Sequence, residues 1–70
     1  MKISVGDKVA WSWGNGRAMG KVSERFTQDV SCTIKGTEVT RFASDDKPAF
    51  LIVQDSGDRV LKSVTEISKA

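Results

Sequence analysis

Few side chains in this 70-residue chain could carry chemistry, and nearly all of those could carry only binding. Five rings are present, Trp11, Trp13, Phe26, Phe42 and Phe50, with no tyrosine. Converging aromatic faces stabilise a cation by about 0.5–2 kcal/mol, the most when water is excluded. Trp11 shares the parity of Val9 and reads as core, as do Phe26 and Phe50. Trp13 abuts the turn Gly14-Asn15-Gly16 and, with Phe42, is the ring expected at a solvent-facing mouth. A second set is basic. Arg17, Lys21 and Arg25 recur with one parity, and Lys8 can lie beside them on a preceding strand. Such a stripe can hold phosphates, and an adjacent ring can stack a base.

Catalytic chemistry finds little to work with. Histidine is absent and Cys32 is the one cysteine, which excludes disulfide frameworks, zinc fingers and His-dependent triads. Cys32 alternates in phase with Val30 and Ile34, so it reads as a small buried hydrophobe rather than an activated thiol. Asp45-Asp46 and Asp55/Asp58 stand in turn sequences, and turn chemistry accounts for all four. Gly14-Asn15-Gly16 is too short for a phosphate loop and opens no helix.

The elements that must position these groups are legible from punctuation. Turn signals fall at Gly6-Asp7, Gly14-Asn15-Gly16, Lys35-Gly36, Asp45-Asp46-Lys47-Pro48 and Asp55-Ser56-Gly57-Asp58. Between them lie runs of about five to ten residues with period two, the spacing of short antiparallel strands. Val9, Trp11 and Trp13 form one apolar face. Ala18, Gly20, Val22 and Phe26 form another, which Glu24 interrupts in the manner of a bulge or a rim. Gly20 marks a bend or a close backbone approach. Val30, Cys32 and Ile34 alternate cleanly, and the chain returns through Glu38–Phe42.

Ala49–Gln54 is apolar on both faces, so its second face needs either the inserted hairpin or another copy of the chain. Ser63-x-x-Glu66 predicts a capped helical turn, with Ile67 closing the core. The chain is predicted to be one all-β domain, 1–70. It is a small SH3-like (Tudor-type) barrel with a hairpin inserted at about residues 29–42 and a short C-terminal helical turn.

Composition agrees with one small globular domain: 39% hydrophobic, 29% charged, formal net charge +2. That charge is too small for a chain devoted to nucleic acid. No apolar run approaches the ~20 residues of a membrane span. The opening Met1-Lys2-Ile3-Ser4-Val5-Gly6-Asp7 has no long apolar stretch, which makes a cytoplasmic location the expectation.

Several segments together resemble the hypervirulence-associated TUDOR-domain family of small bacterial and fungal proteins. They are Gly6-Asp7-Lys8-Val9-Ala10-Trp11, Gly20-Lys21-Val22, Thr40–Ile52 with its Arg41-Phe42-Ala43-Ser44 and Pro48-Ala49-Phe50, and Gly57-Asp58-Arg59-Val60-Leu61-Lys62. The similarity runs nearly end to end. Phe42 departs from it, standing where a polar residue, commonly Asn, is expected. The resemblance implies a fold and a size, not a mechanism.

The resulting expectation is a non-catalytic binding module that meets a protein or peptide at a barrel mouth. Trp13, Asn15, Phe42, Asp55 and Asp58 would form that mouth. The alternative is weak, sequence-independent nucleic-acid binding through Lys8, Arg17, Lys21 and Arg25. A third reading is a structural or accessory protein without a stable ligand. No cofactor, metal or membrane contact is expected, and the chain is expected to be a monomer or weak homodimer.

Overall fold

The computed structural model describes residues 3–70; Met1 and Lys2, the first residues of the opening segment, lie outside the described residues. Seven strands follow in order: β1 (Lys8–Trp13), β2 (Gly16–Phe26), β3 (Val30–Ile34), β4 (Thr37–Arg41), β5 (Ala49–Gln54), β6 (Arg59–Ser63) and β7 (Ser68–Lys69). A single 3-10 turn, Val64–Glu66, separates β6 from β7. The main sheet runs β6-β5-β2-β1-β7, and β3-β4 form the separate inserted hairpin.

Chain connectivity forces the main sheet to curl. Four inter-strand steps of about 4.8 Å would hold β6 and β7 roughly 19 Å apart in a flat sheet. Only Val64–Ile67 connects them, and its 3-10 part rises about 2 Å per residue. The two edges must therefore bend towards each other. Curling wraps the inward face around Val9, Trp11, Val22, Phe50 and Ile52, with Ile3 closing one end. Ala18, Val60, Val64 and Ile67 pack against that cluster.

The predicted interruption at Glu24 is a register shift. Val22 pairs with Ile52 but Glu24 pairs with Leu51, leaving Ser23 as the extra residue. Its effect is to exchange the faces of β2 beyond that point. Arg25 now pairs with Phe50 and lies on the inward side, while Phe26 pairs with Ala49 on the outer side. The expected core position of Phe26 is corrected accordingly: it is half-buried on the outer side.

The second apolar face of β6 is met by the hairpin. Val30, Cys32, Ile34 and Val39 share one face of β3-β4 and are all half-buried, whereas Ser31, Thr33, Glu38 and Thr40 point to solvent. Ile34 and Val39 border Leu61, which is 2% exposed although it lies opposite Leu51 on the outer side. Cys32 is thus half-buried on the hairpin's inner face rather than fully buried. Lys35 and Gly36 form the turn with positive φ at both positions, 52° and 78°. That backbone matches the twist of a two-residue hairpin.

Polar contacts fasten the hairpin base and the final turn. The Ser63 N–H donates to Glu66 Oε1 at 2.8 Å, as the Ser-x-x-Glu spacing predicts. The Arg41 Nε donates to the same oxygen at 2.9 Å, and Lys62 Nζ lies 3.8 Å from Oε2. Partial burial disfavours the Glu66 carboxylate, but the Ser63 N–H, Arg41 and Lys62 outweigh it and hold the group below its ordinary 4.5.

A group held low in the folded state stabilises the fold above its unfolded pKa, and that contribution is lost as pH falls through the folded value. Glu66→Gln is expected to cost about 0.5–1 kcal/mol near neutrality, since the partners are partly exposed. The difference from the parent should shrink to nothing below the lowered pKa. Urea midpoints measured from pH 7 to pH 3 check this, and a difference independent of pH would contradict it.

Candidate functional site

The structure divides the expected mouth between two ends of the molecule. Trp13 pairs with Gly16 across the β1-β2 turn, and a β-carbon built on Gly16 would lie 3.5 Å from the indole Cζ2. The ring is therefore laid over glycine backbone and remains 59% exposed. The antiparallel pairing of Gly20 with Gln54 puts the Asp55–Asp58 turn at this same end of the sheet. Asn15 and Asp55 are exposed there, and Asp58 is engaged by Lys35 of the hairpin tip at 3.2 Å.

Phe42 is not at this end, which corrects the expected grouping. It follows Arg41, whose partner Val30 lies four residues beyond the far end of β2. The hairpin brings its tip, not its base, to the Asp55–Asp58 turn. Trp13 and Phe42 therefore stand a strand length apart and form no shared pocket. Trp11 and Phe50 are 5% and 0% exposed, so no second ring remains free to complete a cage around Trp13.

The basic set is also redrawn. Lys8 pairs directly with Lys21, and Ser12 with Arg17, so these three cations share the outer face of β1 and β2. Arg25 leaves the set because the extra Ser23 turns it inward. Arg59 joins it: Lys21 pairs with Val53 and Val53 with Arg59, placing Arg59 in the row that begins at Lys8. Spacing along the chain contains no signal for Arg59; only the strand order brings it there.

All four side chains belong to exposed residues, and Met19, 50% exposed, lies between Arg17 and Lys21. Among the described residues none of the four has a carboxylate within 4 Å. The ion pairs lie elsewhere, at Lys35–Asp58, Arg41–Glu66, Lys62–Glu66 and Lys69–Asp7. Asp7, the acid next to Lys8, is committed twice. Its carboxylate accepts the Ser4 N–H at 2.8 Å and lies 3.5 Å from Lys69, and the backbone bond above all holds its pKa below 3.8.

At the opposite end lies a cleft of about 420 Å³ with an apolar floor of Ile3, Pro48, Phe50 and Val64. Arg25, Asp45 and Asp46 form its polar walls. Among the described residues no group of three or more Asp, Glu or Cys side chains is placed to hold a metal ion. No helix is long and apolar enough to cross a membrane.

A nearly all-β curled sheet, with a long bent second strand, an inserted hairpin and a 3-10 turn before the last short strand, defines a Tudor-type member of the SH3-like folds. Tudor domains are generally small non-catalytic modules that bind peptides or nucleic acids. Residues 6–67 match the family of hypervirulence associated proteins TUDOR domain, and the chain belongs to that family. No curated protein and no solved structure shows a significant match to the chain.

Proposed function

We propose that this domain is a binding module whose outer sheet face holds the phosphate backbone of a nucleic acid. The observation that carries the reading is the unpaired row of cations, Lys8 and Lys21 directly opposite each other, with Arg59 in line and Arg17 further along β2. Like charges directly opposite on neighbouring strands are destabilising. Nothing among the described residues offsets that cost, whereas a phosphate between the two ammonium groups does. Contacts of this kind carry no base information, so binding is weak and largely independent of sequence.

Fluorescence anisotropy with labelled 20-residue DNA and RNA, single- and double-stranded, tests the proposal between 50 and 200 mM salt. Three to four phosphate contacts predict a slope of log K against log salt near −3 on duplex DNA, at about −0.9 per contact. The pair Lys8→Ala/Lys21→Ala should reduce that slope by about two and weaken binding at least tenfold at 50 mM salt. Absence of binding at 50 mM, or binding that these variants leave unchanged, overturns the reading.

A peptide-binding reading draws on one observation, the 59% exposure of Trp13 at the end of the sheet that also carries the Asp55–Asp58 turn. Binding that survives high salt and is lost in Trp13→Ala would favour it.

A further inference from the structure

Two features at the end remote from Trp13 take no part in the proposed phosphate contact. The first is Phe42, 80% exposed and the most exposed large hydrophobic side chain among the described residues. Both of its neighbours are tied down. Arg41 is bonded to Glu66 at 2.9 Å, and the Ala43 N–H donates to Asp29 Oδ1 at 3.2 Å. The ring is thus presented on a fixed support, and little conformational freedom remains to be lost when it is buried.

The second is the cleft floored by Ile3, Pro48, Phe50 and Val64. Its acidic wall begins three residues after Phe42, on a loop closed by Ser44 N–H to Lys47 O at 3.1 Å and Lys47 N–H to Ser44 Oγ at 3.2 Å. Knob and hole therefore belong to one continuous rim.

We propose that Phe42 of one copy seats in the cleft of a second copy, giving a weak two-fold symmetric dimer. Volume permits it, because a cavity of roughly 150 Å³ already accepts benzene, and this cleft is about 420 Å³. Symmetry favours it too. A two-fold contact needs a self-complementary patch, and a ring beside its own receptor satisfies both directions in one act.

The charges around the rim point the same way. Arg25 on β2 and Asp45 and Asp46 on the loop line the cleft and have no ion-pair partner within their own chain among the described residues. A two-fold axis sets the cation of each copy against the acids of the other. Two aromatic side chains bury about 150–250 Å² each, well under the ~1,200 Å² of a stable complex, so the dimer is transient. Its dissociation constant should lie near ~0.1–1 mM.

Sedimentation equilibrium from 0.05 to 2 mM reads this directly, with amide shifts followed on dilution. The parent's weight-average mass should climb from monomer towards dimer, with dilution shifts centred on Ile3, Arg25 and Val64. Phe42→Asn, a surface change that spares the fold, should weaken association at least tenfold. Asp46→Lys should weaken it less, and adding Arg25→Glu to that variant should restore part of the loss. A monomer at 2 mM overturns the proposal. So does association that Phe42→Asn leaves unchanged, or dilution shifts confined to the outer face of β1 and β2.

Discussion

Phe50→Ala is expected to be among the most destabilising single substitutions in the chain. Phe50 is 0% exposed and sits on the inner face of β5, between Arg25 of β2 and Lys62 of β6. It belongs to the central cluster with Val9, Trp11, Val22 and Ile52, and it also floors the cleft. Truncating a buried phenylalanine costs about 3–5 kcal/mol, through lost burial and the cavity left behind. A domain of this size has roughly 3.5–10 kcal/mol in total, at 0.05–0.15 kcal/mol per residue. One substitution thus removes from about a third of the stability to all of it. Phe50→Leu, which keeps much of the volume, should cost less than about 1.5 kcal/mol. Urea unfolding followed by tryptophan fluorescence separates the two. A loss under about 1 kcal/mol for Phe50→Ala would mean that the sheet does not close around this ring.

Gly20→Ala is the second large effect, and it acts by crowding. Gly20 lies where β2 passes between β1 and β5, opposite Val9 on one side and Gln54 on the other. A β-carbon there would stand 2.6 Å from Ile52 Cγ2 and 2.7 Å from the Val53 carbonyl oxygen. Ile52 is 0% exposed and its Cγ2 sits on a branched β-carbon, so the methyl has little room to turn away, and the carbonyl is fixed in the β2-β5 region of the sheet. Overpacking of this kind costs typically 1–3 kcal/mol, and contact with backbone puts this site at about 3 kcal/mol. Gly16→Ala makes the matched control, since its β-carbon meets only the Trp13 ring at an ordinary 3.5 Å. It should change stability by less than about 0.5 kcal/mol. Equal urea midpoints for the two variants would contradict so close an approach of β5 to Gly20.

Much of the architecture is legible in the sequence because burial imposes a period that side chains must obey. Val9 and Trp11 alternate into the core, Val30, Cys32 and Ile34 alternate onto the hairpin's inner face, and Ser63 and Glu66 stand at capping distance. The apolar second face of β5 likewise announces that something covers that side of the sheet, where the hairpin packs on neighbouring β6. What period cannot convey is phase across an irregularity. Glu24 betrays the break in β2, but nothing local says that Ser23 is surplus and that Arg25 and Phe26 change sides. Period is equally silent about which end of the fold a loop reaches. Phe42 and Trp13 share exposure and aromatic character, yet strand direction alone separates them. Arg59 shows the converse, a residue far along the chain that strand order brings into line with Lys8.

The surplus residue at Ser23 acts as a half-period phase shift written into one continuous strand. Before it, β2 addresses one side of the sheet with Arg17 and Lys21; after it, the same backbone addresses the other with Arg25. Two contacts served from opposite sides do not compete for space, so filling one leaves the other open. Copies joined at their clefts would carry two cation rows on one particle. A polyanion long enough to reach both would then meet the second row at a high effective concentration, a gain in avidity that needs no new contact. Removing that single residue would straighten the ladder while leaving Glu24 opposite Leu51 and Arg25 opposite Phe50, so Arg25 would stay on the side away from Lys21.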